Sequence, residues 1–192
     1  EVEAVGRNVN GAVLATRDQV HVLNWQTNPS GNRPTLASTQ FGCIAANSMV
    51  EFDGGVAWIS ARGPVALRGG QIEWIGQDMA PDFTGRNKRY RSDSRGRMPH
   101  AWAVHDTTRR LVLFGVLRSD TGHALRQENL LTTTTYAAAT DAQRSKFPCD
   151  EVLAWSYVTG AWSTWVPPQP IHWMAETVCS DGQVRMCFWA AD

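Results

Sequence analysis

The sequence predicts an all-β chain built from short antiparallel strands. Three observations carry this. Runs of strand-forming residues, with apolar side chains recurring along each, are about four to eight residues long. Glycine- and aspartate-bearing turns separate those runs at hairpin spacing. No stretch of useful length shows helical periodicity.

The elements follow in order. "AVLATRDQVHVLNW" gives two runs around Arg17-Asp18. "SMVEFDGGVAWIS" turns at Asp53-Gly54-Gly55, and "GPVALRGGQIEWIG" turns at Gly69-Gly70. "HAWAVHDTTRRLVLFGV" turns near Asp106 to Arg109. "DEVLAWSYVTGAWSTW" turns at Thr159-Gly160, which pairs Val158 with Ala161 and Tyr157 with Trp162. "AETVCSDGQVRMCFW" turns at Asp181-Gly182, pairing Cys179 with Val184. These hairpins supply about twelve strands.

The Trp155 hairpin has one large face and one small face. Leu153, Trp155, Tyr157, Trp162 and Val166 share the first; Val152, Ala154, Ser156, Val158, Ala161, Ser163 and Trp165 share the second. Neither face is charged beyond the first residue, so the hairpin reads as covered on both sides. Sheets stacked face to face, large residues over small, satisfy that pattern. "VAWISARG" and "LAWSYVTG" share Ala-Trp followed by Gly at one spacing. Trp25, Trp58, Trp102, Trp155 and Trp189 recur roughly every 33 to 53 residues, the size of a four-stranded propeller blade. The expected architecture is about three four-stranded antiparallel blades of a β-propeller. Trp58, Trp102, Trp155 and Trp162 are expected to pack between blades. Closed propellers usually have at least four blades. The chain also starts at Glu1 rather than Met. Either a longer polypeptide supplies further blades or the chain is a different sheet packing; the missing Met fits the first, and a single propeller-like domain over residues 1–192, an incomplete one, is the preferred reading.

Charge and cysteine content narrow the function. Lys+Arg and Asp+Glu are both 18, so no global field draws nucleic acid or an acidic substrate. No apolar run approaches the length of a membrane-crossing helix, and no membrane partner is expected. Cys43, Cys149, Cys179 and Cys187 lack metal-ligand spacing and read as reduced thiols buried like small hydrophobes. The predicted register puts Cys179 and Cys187 on opposite faces, which argues against a bridge. P-loop, nucleophile-elbow, zinc-protease and EF-hand patterns are missing from the sequence. His105-Asp106 reads as a turn feature rather than a catalytic pair. No catalytic residue, metal or small-molecule cofactor is expected.

Two segments break the strand rhythm. "GRNKRYRSDSRGR" (Gly85 to Arg97) carries Arg86, Lys88, Arg89, Arg91, Arg95 and Arg97. These could contact phosphates with Tyr90 stacking on a base. The preferred reading is a solvated loop or a docking contact to an acidic neighbouring subunit. The second segment is a long polar insertion at about 118–150. Within it "NLLTTTTYAAAT" (Asn129 to Thr140) is uncharged and rich in small and β-branched residues. Leu130, Leu131 and Tyr136 mark it as an arm suited to strand addition on a neighbour.

"TQFGCIAANSMVEFDGGVAWISARGPVALRGGQIEWIG" (Thr39 to Gly76) resembles a pattern of β-propeller tail proteins of short-tailed phages. "AWAVHDTTRRLVLFGV" and "DEVLAWSYVTGAWSTW" are similar to the strands that follow in that pattern. The likeness is one of blade grammar, to tail nozzle (tail tubular) subunits and plug-like DNA-stabilisation proteins. It implies a structural virion protein of the phage tail, a homo-oligomeric ring with other tail subunits, and non-specific passage of DNA during ejection. The alternative is a carbohydrate- or receptor-binding propeller that could hydrolyse glycans.

Overall fold

The computed structural model describes residues 2–8, 11–24, 32–85, 88–93, 95–118, 140 and 147–190. Among these, fourteen strands form four antiparallel sheets. The first sheet holds β1 (Ala4–Asn8), β2 (Gly11–Ala15), β3 (Val20–Asn24) and β4 (Thr35–Ser38). The second holds β5 (Val50–Phe52), β6 (Gly55–Ser60), β7 (Gly63–Arg68) and β8 (Gln71–Glu73). The third holds β9 (Trp102–Asp106), β10 (Leu111–Val116), β11 (Glu151–Ser156) and β12 (Trp162–Trp165). The fourth has only β13 (Ile171–Val178) and β14 (Val184–Ala190). Each sheet is a meander in which sequence neighbours are hydrogen-bonded neighbours. A single helical turn, α1 (Ala80–Phe83), lies between the second and third sheets in sequence.

The sheets stack in sequence order. Val13, Val20 and Val22 of the first sheet meet Val56, Trp58, Val65 and Leu67 of the second. Ala57, Ile59 and Ala66 of the second meet Phe114, Leu153 and Trp155 of the third. Trp102, Leu113 and Val152 of the third meet Ile171 and Met174 of the fourth. Alternate residues of β6 therefore serve different interfaces, as the two-residue pleat requires. Like strands adjoin along the stack: β1 lies against β5, β5 against β9, and β9 against β13. The outermost strands β4 and β8 also meet.

Three expectations change. β1 and β4 join the twelve predicted strands. β4 is almost wholly exposed, so it carries no buried period-two row to read. The Trp155 hairpin pairs Trp155 with Trp162, two residues from the predicted register. Its loop runs over 157–160, closed by a Gly160 N–H donating to Ser156 O at 2.7 Å, with Gly160 at φ 74°. A shift of two preserves the faces, so Trp155 and Trp162 still share one. The last hairpin pairs Val178 with Val184 and Ala175 with Cys187, one residue from the prediction. Cys179 donates to Gln183 O at 2.8 Å instead of facing Val184. That places Cys179 and Cys187 on one face but far apart along the hairpin, and both are free thiols.

The tryptophan spacing does not index one blade position. Trp58 lies on the second strand of its sheet, Trp155 on the third and Trp102 on the first. Packing rather than repetition explains them. Trp58, Trp102 and Trp155 are buried, and Trp162 is half-buried. Trp155 and Trp162 stack at 6.2 Å between ring centroids, and Phe52 of the second sheet meets Trp155 edge-on at 5.5 Å. Trp102 lies across its cross-strand partner Gly115, where an added Cβ would come within 2.2 Å of the indole. The double cover holds for β11 but ends at β12, whose Trp165 is 38% exposed.

Two substitutions test this packing. Trp155→Ala should cost on the order of 3–5 kcal/mol in denaturant melts, because the stack cannot collapse around the void. Trp165→Ala should cost about 1 kcal/mol or less. Equal losses at the two positions would contradict the one-sided burial of the hairpin.

Candidate functional site

A meander sorts its connections between two ends. Turns from first to second and third to fourth strands fall at one end. Second-to-third turns and the links between sheets fall at the other. The basic segment links β8 to β9 and the 118–150 insertion links β10 to β11, so both irregular segments share an end.

At that end the chain builds an ion-pair hub on Glu151, the first residue of β11. Its carboxylate is fully buried. Arg89 Nη2 donates to both of its oxygens at 2.9 Å, and the Tyr90 hydroxyl donates to Oε1 at 3.1 Å. Arg118 Nε lies 3.6 Å from Oε2 and 3.4 Å from Asp150 Oδ2. The Arg118 amide also donates to Asp150 Oδ1 at 2.9 Å. Backbone pairing fixes the geometry: Asp150 N–H donates to Val116 O, and Arg91 N–H donates to Leu117 O. Burial raises the Tyr90 phenol well above its ordinary range, and the Glu151 charge adds to this. The phenol therefore stays protonated and acts only as a donor to the carboxylate.

The rest of the basic segment folds on itself. Asp93 Oδ1 accepts from the Arg95 and Arg97 amides at 2.8 and 2.7 Å, and Oδ2 accepts from Arg97 Nε at 3.1 Å. Burial alone would raise the Asp93 carboxyl, but these bonds from Arg97 and Arg95 outweigh it and hold it low. Lys88 Nζ donates to Ser92 Oγ. The sequence proposed an acidic neighbouring subunit for this run. Arg89 and Arg97 have their acidic partners, Glu151 and Asp93, within the chain. Arg86, Leu130, Leu131 and Tyr136 lie outside the described residues.

The opposite end holds a cluster that the sequence did not reveal. Tyr157 donates to Asp53 Oδ2 at 3.0 Å, and His105 Nε2 lies 3.1 Å from the same hydroxyl. The phenol has one proton, so His105 Nε2 is the donor in the second bond. Arg68 Nη2 donates to Tyr157 O at 3.1 Å while its guanidinium lies over Phe52 and Trp155. Burial and the Asp53 carboxylate raise the Tyr157 phenol, which makes it a tie between the second and third sheets rather than a nucleophile. Asp106, beside His105, accepts from the Arg109 amide at 2.8 Å and from its guanidinium at 2.9 Å, as a turn-closing aspartate does.

Sequence signal for the hub was present but slight. Asp150-Glu151 is a charged pair at the head of an otherwise apolar strand, directly after a long polar insertion. Nothing local identifies Arg89 or Arg118 as partners, because they lie far away in sequence. Among the described residues no group of three His, Cys, Asp or Glu side chains is arranged to hold a metal ion. No family model matches the chain, and no curated protein matches it at a significant level.

Two measurements examine this region. Glu151→Ala should lose about 2 kcal/mol, since it removes the carboxylate that Arg89 and the Tyr90 hydroxyl both bond, while Arg118 keeps Asp150. In a double-mutant cycle Arg89→Met should add little to it; full additivity would show that the pair is uncoupled. His100 is buried, and burial, then Arg91, pull its pKa down to about 3. Its contribution is complete above the unfolded value near 6.5 and is lost as pH falls towards 3. Stability should therefore drop by about 2–3 kcal/mol between pH 6.5 and 4.5. His100→Gln should flatten that stretch of the curve; an unchanged slope would rule out His100 as its source.

Proposed function

We propose that this chain is a structural subunit of a phage tail, a nozzle- or adaptor-type β-propeller that forms part of the channel for DNA ejection. The observation that carries the reading is the order of the stack. Successive sheets adjoin through their first strands, β1 to β5 to β9 to β13. Blades set around a common axis with their first strands innermost would adjoin in this way, and this supports the reading. The four-stranded meanders have blade composition, and Thr39–Gly76 carries the resemblance to tail propellers.

The chemistry supports a scaffold. The described polar clusters at both ends close on themselves: Glu151 on Arg89 and Arg118, Tyr157 on Asp53 and His105. Internal pairing of Arg89 and Arg97 removes two charges that a DNA-gripping surface would use. A channel that releases DNA quickly gains from such weak contacts. The outer copy-to-copy surfaces are the two ends of the stack, where apolar side chains are exposed. Exposed Trp173 and Trp189, paired across β13 and β14, favour the second reading, a glycan- or receptor-binding propeller.

Sedimentation and negative-stain imaging of the purified chain test the first reading. Ring-shaped assemblies of several copies are expected. A monomer at every concentration, with saturable glycan binding quenched at Trp189, would favour the second. Filter binding to duplex DNA across a salt series adds a second check. Affinity should be weak, and changing Arg86, Lys88, Arg89 and Arg91 to Ser should leave its salt slope unaltered. A steep wild-type slope that the variant loses would make the basic segment a phosphate contact.

A further inference from the structure

The stack ends on two uncovered faces, and each carries an apolar row. In the first sheet Ala4, Val13 and Ala15 pack towards the second, so the pleat turns Val5 and its cross-strand partner Leu14 outward. The outward row continues through His21 to Leu36. In the fourth sheet Met174 and Met186 pack towards the third, so Trp173 and its partner Trp189 turn outward. Val5 is 63% exposed, Trp173 40% and Trp189 56%. The two rows stand at one height in the stack, near the start of the first strand of each sheet. Gly6 comes against Met49, just ahead of β5, where an added Cβ would lie 2.9 Å from the sulfur. Trp173 lies 6.0 Å from Trp102, the first residue of β9.

We infer that the Val5–Leu14 row of one copy docks on the Trp173–Trp189 row of a second copy, so that the stack continues from chain to chain. The inference names the contact of the assembly proposed above and rests on that reading. The occupant follows from continuity with the interfaces inside the chain. Each of those sets first strand beside first strand, and β1 of a second copy beside β13 is the next step of the series β1, β5, β9, β13. The chemistry also repeats: Trp58 already packs on Val13, Val20 and Val22 of the first sheet, and the joint sets two further tryptophans on the opposite side of that sheet. Widths agree as well. The fourth sheet has two strands, and Val5 and Leu14 lie on the first two strands of theirs. Ala175 and Cys187 follow Trp173 and Trp189 on one face, and Ala12 precedes Leu14 on the other, so small side chains leave room for the indoles. The four docking side chains are uncharged, and closing the joint over them desolvates no ion. The contact joins different faces of identical chains. It is head-to-tail, and closes into a ring when the rotation between copies allows.

The test uses the full chain and three variants, Val5→Glu, Trp189→Lys and Leu36→Lys, with assembly read by analytical ultracentrifugation. All three positions are exposed in a single copy, so each variant should keep the wild-type melt at concentrations where the chains are monomeric. Val5→Glu and Trp189→Lys alone should each need about tenfold or more protein to assemble. Mixed together they should form heterodimers, because the Trp189→Lys chain keeps its first-sheet face and the Val5→Glu chain keeps its fourth-sheet face. Leu36→Lys should assemble as the wild type does, since β4 lies beyond the reach of a two-stranded sheet. Wild-type assembly by Val5→Glu or Trp189→Lys, a mixture that forms no heterodimer, or a loss in Leu36→Lys equal to that in Val5→Glu overturns the inference and leaves the ring reading standing. A wild-type chain that never assembles overturns both.

Discussion

Everything in this fold depends on covering both faces of the second and third sheets. A sheet with apolar side chains on both faces cannot stand in water, and β6, β7 and β10 are apolar on both. The chain meets the constraint by stacking, with large aromatic groups set over small residues. Trp58 rests on the valines and alanines of the first sheet, and Trp155 and Trp162 rest on Ala57 and Ala66 of the second. Burial of this kind is worth roughly 25 cal/mol for each Å² of apolar surface. Ser48 shows how a polar group is carried into this core. Ser48 Oγ donates to Ala45 O and accepts from the Ile59 amide, so its burial leaves no orphan.

The same constraint explains where function can lie. Interior sheets present little to a partner except their hairpin ends. The two end sheets present whole faces. Val5 and Leu36 are exposed on the first sheet, and Trp173, Phe188 and Trp189 on the fourth. The Glu151 hub and the Tyr157 tie act at opposite ends of the stack. Both fix segments that would otherwise leave the sheets loosely joined.

Much of the fold was legible in the sequence. Glycine turns at Gly54 and Gly69-Gly70 located their hairpins, because two-residue turns demand backbone angles that glycine supplies freely. The tight large-small alternation around Trp155 revealed cover on both sides of β11, though not of β12. Registers were harder. The predicted two-residue loop at Thr159-Gly160 lost to a four-residue loop in which Ser156 Oγ accepts from the Thr159 amide at 3.3 Å. The edge strand β4 left no pattern, since neither of its faces is buried. Of the candidate site, the basic segment was visible by composition, but its partners were not. Arg89 and Glu151 stand 62 residues apart and meet only after the third sheet forms.

Amide hydrogen exchange tests the central claim most directly, since it reports how firmly each strand is enclosed. The account predicts that β6, β7, β10 and β11 exchange only through global unfolding. β12 and β14, each open on one side, should exchange through local opening at far lower free energy. Equal protection of β14 and β10, or a second sheet that opens independently of the third, would contradict it.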